Sequence, residues 1–249
     1  MADVAHLGEF QVVELRRYTI AAGEREHFAR YFESFFPEAH EQLGAIFFGD
    51  FYERKNHALF TFLRGFKDMA ARAAVCTAFY DGPLWQEHRA TMNAMIVDSD
   101  NVLLLRPLTP ARGVAVLPAV DPVREAGGAQ GVVVAQIFAV RANQEEAFAE
   151  RAEATFAGYR AAGAREAGVL VTLDVPNNFP RLPIRTDGPY LVWLGVVEDG
   201  PSLEQGWLPL AEASVAPLAA TGLLRGAPEL VVLDPASRSR LRWLAASEP

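Results

Sequence analysis

The stretch VVVAQIFAV at residues 132–140 and the stretch YLVWL at residues 190–194 decide the fold of this chain. Both are short and rich in β-branched and aromatic residues, which is typical of β-strands. In an antiparallel sheet with one face in water, apolar and polar residues alternate along each strand. Here successive residues are apolar, as they are again at residues 45–48, so we expect these strands to be buried on both faces.

The predicted order of elements repeats along the chain. Alternating β-branched segments are separated by amphipathic segments with apolar residues along one stripe, which gives the order strand, helix, strand, strand, helix, strand in each half. The predicted strands are residues 12–20, 45–53, 58–66 and 101–107 in the first half, and 132–140, 168–175, 190–197 and 229–234 in the second. The predicted helices begin at residue 24 and near residue 67, are interrupted at residues 81–83, resume at 84–96, and recur at 144–162 and 203–220.

Helices can cover only one face of each sheet, so the other face needs a second sheet, which the repeat supplies. We therefore predict an α+β fold in which two tandem ferredoxin-like βαββαβ units form an α+β barrel within one chain. The first unit is residues 1–109 and the second, diverged unit is residues 131–249. Residues 110–130 form a linker rich in proline and glycine. An insertion at residues 176–189 contains four prolines, and the sequence assigns it no role.

Composition limits the class of protein. Hydrophobic residues make up 51% of the 249 residues and charged residues 22%, which is typical of a globular protein with a large core. The net charge of −8, without a basic run, argues against nucleic-acid binding. We predict no membrane span, because no apolar stretch approaches about 20 residues. The single cysteine, Cys76, excludes a disulfide within the chain, and with no secretory signal visible we expect a cytoplasmic protein.

A motif in the first half carries a family resemblance. The sequence FYDGPLWQEHRATMN at residues 79–93, followed by DSDNVLLLRP at residues 98–107, resembles the C-terminal half of a NIPSNAP domain, and VELRRY at residues 13–18 resembles the first strand of that family. The resemblance covers residues 11–107. It implies the dimeric α/β-barrel superfamily, which includes cofactor-free monooxygenases, haem enzymes, cyclases, isomerases and binding proteins. The resemblance therefore implies a fold but no particular reaction.

His88 is the leading catalytic candidate in this motif. All five histidines lie in the first half of the chain, so chemistry that needs imidazole must come from that half. Trp85, His88 and Met92 share one stripe of the predicted helix with Met95, which would direct the imidazole toward the sheet. Histidine suits proton transfer near neutral pH. The alternative is a buried, hydrogen-bonded histidine with a structural role.

Other polar and aromatic residues complete the predicted site. Arg89 and Asn93 share a face beside His88, where they would bind a carboxylate or enolate oxygen as further catalytic residues, or else tie the helix to the barrel rim. Ligand-binding roles are predicted for Trp85, Tyr80, Met92 and Tyr18. On the first strand, Glu14 and Arg16 favour a structural ion pair. No histidine pair has the spacing of a metal site, so none is predicted.

Three functional hypotheses follow. The first is binding or conversion of a small apolar molecule without a cofactor, in a pocket between the sheet and the helix at residues 84–96. The second is haem or hydrophobic-ligand binding, with a helix histidine as the axial ligand. The third is a non-catalytic interaction protein. A homodimer through helices or edge strands is compatible with each hypothesis.

Overall fold

The computed structural model describes residues 9–245. In the first half, nine elements follow one another: β1 (Val12–Ile20), α1 (Arg25–Phe35), α2 (Pro37–Gln42), β2 (Ile46–Glu53), β3 (Leu59–Phe66), α3 (Met69–Tyr80), α4 (Pro83–Met95), β4 (Ile96–Asp98) and β5 (Val102–Pro107). In the second half, the main elements are β6 (Val132–Ala139), α5 (Glu145–Ala161), β7 (Arg165–Thr172), β8 (Tyr190–Val197), α6 (Leu208–Ala219) and β9 (Glu229–Pro235).

Local sequence signals explain where the helices of the first half begin. Asp68 precedes α3, and its carboxylate accepts a hydrogen bond from the backbone N–H of Ala71 at 2.7 Å. This side-chain cap satisfies one of the free amides at the helix start. Pro83 opens α4, where its missing amide hydrogen costs no helical hydrogen bond. Pro37 likewise begins α2, and this proline marks the break between α1 and α2.

The strands form a closed antiparallel barrel. Eight strands follow the order β3, β2, β9, β6, β8, β7, β5, β1, and β1 pairs with β3 to close the ring. Each half contributes four neighbouring strands in the ferredoxin-like order. Both joins between the halves pair the second strand of one unit with the last strand of the other, β2 with β9 and β7 with β5. The predicted fold class is confirmed.

Alternation along the strands separates two layers of core. On β1, Val13 and Leu15 point into the barrel interior, where they pack with Val133 and Ala135 of β6. The intervening residues of both strands point outward, toward the helices that cover the barrel. The strands are therefore buried on both faces, as their continuous apolar character predicts.

Some predicted boundaries were wrong. The second strand of the second half begins at Arg165 rather than at residue 168, because a register shift between Glu166 and Gly168 lets the strand continue past the glycine. The short strand β4 was not predicted. The last helix of the second half begins with a π-helical turn, Leu203–Trp207. Within residues 9–245, no helix has both the length and the apolar character needed to cross a membrane.

Candidate functional site

A cavity of about 260 Å³ lies between the sheet and the helices of the first half. Its walls are mostly aromatic. Phe28, Phe32 and Phe36 come from α1 and its C-terminal end, at the spacing of one helical stripe. The remaining lining residues are Tyr18, His40, Phe62, Arg64, Phe79, Tyr80, Trp85, Met92, Asn93, Ile96, Ser99, Arg181 and Leu182.

A charged cluster lies at the sheet side of this cavity. Glu14 of β1 accepts hydrogen bonds from Arg64 Nε at 2.7 Å, Arg72 Nε at 2.7 Å and Arg16 Nη1 at 3.1 Å. All four side chains are almost completely buried. Strand pairing brings them together, because Glu14 lies directly opposite Arg64 on β3 and Arg16 is two residues further along β1.

The three arginines keep Glu14 ionised. Burial alone would raise the pKa of this carboxyl, but the positive charges of Arg64, Arg16 and Arg72 outweigh that effect and hold the pKa below its ordinary value. A buried carboxylate of this kind depends on its partners, because a charge left unpaired in the protein interior is costly. The Glu14–Arg16 ion pair predicted from the sequence is thus one part of a larger cluster.

His40 is held in a neutral form beside the cluster. Its Nε2 accepts a hydrogen bond from Arg64 Nη1 at 2.7 Å, so its Nδ1 carries the proton and donates to the carbonyl oxygen of Phe36 at 2.8 Å. Burial and the charge of Arg64 lower the pKa of His40 to about 3. The ring also stacks on Phe79 with centroids 3.9 Å apart. Both ring nitrogens are therefore in use.

Two tyrosines extend the polar part of the cavity wall. Arg16 Nε donates to the hydroxyl oxygen of Tyr18 at 2.9 Å, whereas Arg16 Nη2 is buried and has no hydrogen-bond partner. Tyr80 lies close to the same arginines, and burial raises its pKa to about 12. The phenol of Tyr80 is consequently a neutral donor or acceptor at neutral pH.

The insertion of the second half covers the cavity of the first half. Arg181 and Leu182, from the segment at residues 176–189, line the cavity. Asn177 and Asn178 accept hydrogen bonds from Arg72 Nη1 at 3.0 and 2.8 Å, which links the insertion to the charged cluster. The segment to which the sequence assigned no role is thus the cover of the site.

The structure brings together five of the seven site residues predicted from the sequence. Tyr18, Tyr80, Trp85, Met92 and Asn93 line the cavity. The predicted catalytic residues His88 and Arg89 are not among its lining residues, and Arg89 is exposed.

His88 is turned toward α1 instead of toward the sheet. Its ring stacks on Phe35 with centroids 3.9 Å apart, and its Nδ1 lies 2.7 Å from the hydroxyl of Tyr31. The stripe that carries Trp85, Met92 and Met95 is wide, and His88 lies on the edge of it that contacts the neighbouring helix. A catalytic role for His88 stays a prediction, with no cavity contact to support it.

Five residues of the site were not predicted from the sequence: Arg64, Arg72, His40, Arg181 and Leu182. Arg64 stands in the otherwise apolar strand LFTFLRGF, and Arg72 stands in the apolar helix MAARAAVC. A charged residue inside a segment that must be buried is a signal of a paired or functional group. That signal could have found both arginines, but it could not have shown that they share one carboxylate.

A haem with a histidine axial ligand does not fit this cavity. Such a ligand needs a free imidazole nitrogen that faces the iron. Both ring nitrogens of His40 are hydrogen-bonded, and His88 lies outside the lining. Nor does any group of three or more His, Cys, Asp or Glu residues among residues 9–245 have a geometry that could hold a metal ion.

Comparison with solved structures supports the fold. An anthrone oxidase-like protein superposes with a TM-score of 0.58 and 12% identity, over 98% of this chain and 99% of that chain. A proposed monooxygenase from Fusobacterium nucleatum superposes with a TM-score of 0.58 and 10% identity, over 96% of this chain and 99% of that chain. At such identities the likeness concerns the fold alone, which is the dimeric α/β barrel with both ferredoxin-like units in one chain.

The NIPSNAP resemblance is narrower. An uncharacterized NIPSNAP domain protein from Burkholderia xenovorans is 21% identical, with a TM-score of 0.36, and the match covers 39% of this chain and 95% of that chain. Membership of the NIPSNAP family is not established. No family model matches the chain, and no curated protein sequence matches it.

Proposed function

We propose that this protein binds a small, largely aromatic molecule in the cavity of its first half. The observation that carries the proposal is that the second half fills the corresponding space with its own side chains. There Trp193, Trp207 and Tyr159 are fully buried and pack ring against ring. The first half leaves that space open and surrounds it with aromatic rings, which offer edge and face contacts to a planar ligand.

The size of the cavity limits the ligand. An apolar cavity of roughly 150 Å³ accepts benzene. A volume of about 260 Å³ is therefore suited to a molecule of about two fused rings. This is slightly below the range of about 300–1,000 Å³ that is usual for ligand pockets. The ligand is consequently small.

Catalytic conversion of the ligand is the extension of this proposal. Two proteins with the same fold are described as a proposed monooxygenase and as anthrone oxidase-like. In this chain the candidates for such chemistry are His88, Arg89 and Asn93, of which Asn93 lines the cavity. We also propose that residues 11–107 are a NIPSNAP-like unit, on the basis of the motif at residues 79–93 and its spacing to the strand that follows.

A pair of adjacent residues provides the test. Ile96 lines the cavity, whereas the next residue, Val97, is 68% exposed. We expect calorimetric titration to detect binding of at least one of two probes, naphthalene-2-carboxylate and its neutral carboxamide. Ile96→Phe should weaken that binding about tenfold or more, because the added ring occupies the ligand volume. Val97→Phe should leave it unchanged. Absence of binding by both probes, or equal effects of the two substitutions, would contradict the proposal.

A further inference from the structure

We infer that the ligand carries an anionic oxygen, which Arg16 and Arg64 recognise. This inference rests on the proposed function, because it concerns the ligand of the same cavity. Arg64 lines the cavity directly. Arg16 is not itself a lining residue, but its guanidinium carbon lies 5.4 and 6.0 Å from the ring centroids of Tyr18 and Phe62, which line the cavity.

The buried cluster carries more positive than negative charge. The ion pairs found among residues 9–245 join Arg16, Arg64 and Arg72 to one carboxylate, Glu14. His40 contributes no charge at neutral pH. Three guanidinium groups and one carboxylate leave two positive charges uncompensated. An anion bound beside them would offset part of the cost of burying that charge.

The cluster also has an unused hydrogen-bond donor on Arg16. Arg16 is fully buried and uses Nε for Tyr18 and Nη1 for Glu14. Its Nη2 has no partner, although a buried donor that is left unsatisfied is destabilising. A ligand oxygen with a negative charge is the acceptor that a guanidinium binds most strongly.

The second half of the chain serves as an internal control. Glu14 pairs with Arg64 across β1 and β3, and the corresponding pair across β6 and β8 is Val134 and Gly195. The position of Arg16 is taken by Gln136. The same fold is therefore built without these charges. Their presence beside an open cavity points to recognition of a ligand.

The oxygen of the ligand has two chemical sources, a carboxylate or an ionised phenol or enol. The shared feature is a negative charge on an oxygen attached to an aromatic or conjugated group. Naphthalene-2-carboxylate represents the first source. 2-Naphthol represents the second, because its ultraviolet absorption distinguishes the ionised from the neutral form.

The test compares a charged probe with its neutral analogue. We expect the wild-type protein to bind naphthalene-2-carboxylate about 10 to 100 times more tightly than the carboxamide, which is the scale of a buried charge-assisted hydrogen bond. Arg16→Gln, which installs the residue of the second half, should reduce that ratio toward unity. A ratio near unity in the wild-type protein, or an unchanged ratio in the variant, would overturn the inference.

A measurement on the wild-type protein covers the case in which the variant does not fold. Bound 2-naphthol should ionise at a pH at least one unit below that of free 2-naphthol, which corresponds to tenfold stabilisation of the anion. Ionisation at or above the pH of the free compound would overturn the inference for phenols. If the carboxamide binds as well as the carboxylate, the proposed function stands and the anion inference fails. If neither probe binds, the proposed function itself fails.

Discussion

The two halves of this chain share one backbone plan and differ in what lies between sheet and helices. In each half the first strand pairs with the third, and both halves have a register shift at the equivalent place, after Phe47 in β2 and after Glu166 in β7. The first half holds a cavity and a charged cluster. In the second half Trp193 lies across Gly195, where an added Cβ would approach its ring to 2.4 Å.

In the second half, the residue at the position of Arg16 is uncharged, and its hydrogen-bonding groups have partners within the protein. Gln136, the counterpart of Arg16, accepts a hydrogen bond from Tyr159 Oη at 2.6 Å and donates to Ser214 Oγ at 3.2 Å. This neutral network satisfies the buried amide within the protein. The fold therefore needs no charge at the position that Arg16 occupies in the first half.

The largest expected effect comes from removing the shared carboxylate. Glu14→Gln leaves three buried guanidinium groups without an anionic partner, so we expect the free energy of unfolding to fall by about 3–5 kcal/mol. Glu166→Gln is the matched control in the second half. Its arginines, Arg112 and Arg160, are 20% and 38% exposed at the side chain, so solvent replaces the lost interaction and the cost should be about 1 kcal/mol. If urea-induced unfolding showed equal losses of free energy in the two variants, the residues of the first-half cluster would not depend on one another.

A second pair of substitutions compares how the two halves are filled. Trp207 is completely buried, whereas Trp85 is half-buried at the edge of an existing cavity. We expect Trp207→Ala to lower the free energy of unfolding by about 3–5 kcal/mol, since it opens a new void in a packed layer. Trp85→Ala should cost roughly half as much. If the substitution at Trp85 were the more costly one, the first half would be the more tightly packed of the two.

The sequence was sufficient to predict the architecture. Continuous apolar strands such as Tyr190–Val197 can be stable only with cover on both faces, and the repeated order of elements supplied the second sheet. The extent of individual elements was less predictable. The strand that begins at Arg165 passes through a register shift, and a shift of this kind depends on the partner strand rather than on local propensity.

The site could be predicted only in part, for a geometric reason. The helix motif identified Trp85, Met92 and Asn93, because their spacing places them together on α4. The charged cluster joins β1, β3 and α3, and Arg181 reaches the cavity from the other half of the chain. No spacing within one element reveals such neighbours, since strand register and the path of the insertion bring them together.

The neutral state of His40 gives a pH-dependent effect of intermediate size. Its pKa falls from 6.5 to about 3 on folding, so below pH 6.5 the unfolded chain takes up a proton that the native protein does not. Stability should therefore decrease as the pH falls through this window, by about 1.4 kcal/mol per unit. His40→Gln retains a donor and an acceptor and should lose this contribution.

Comparison with this variant separates the effect of His40 on stability from that of Asp50, a second buried group with the opposite pH dependence. Burial and the charge of Glu33 raise the pKa of Asp50 well above its ordinary value, which lowers stability as the pH rises. Asp50 is present in both proteins, so its effect cancels in the difference. We expect urea unfolding at pH 6.5 and 4.5 to reveal about 2–3 kcal/mol more acid destabilisation in the wild-type protein than in the variant. Identical pH profiles would mean that the pKa of His40 is the same in the folded and the unfolded protein.

The smallest expected effect concerns His88. If Trp207 is matched with Trp85, the residue of the second half at this position is Leu210, which is 41% exposed. His88→Leu removes a hydrogen bond to Tyr31 but keeps an apolar contact with Phe35, so we expect the free energy of unfolding to fall by about 1 kcal/mol. Because the ring of His88 does not line the cavity, probe affinity should be unchanged.

Tyr31→Phe is the control, since it removes the same hydrogen bond and leaves the imidazole in place. A loss of about 100-fold in turnover or ligand retention with His88→Leu, and none with Tyr31→Phe, would instead establish the catalytic role that the sequence motif predicts. Matching small losses of stability in both variants, with binding intact, would assign His88 to the contact between α1 and α4 and leave recognition of the ligand to the arginines on the sheet.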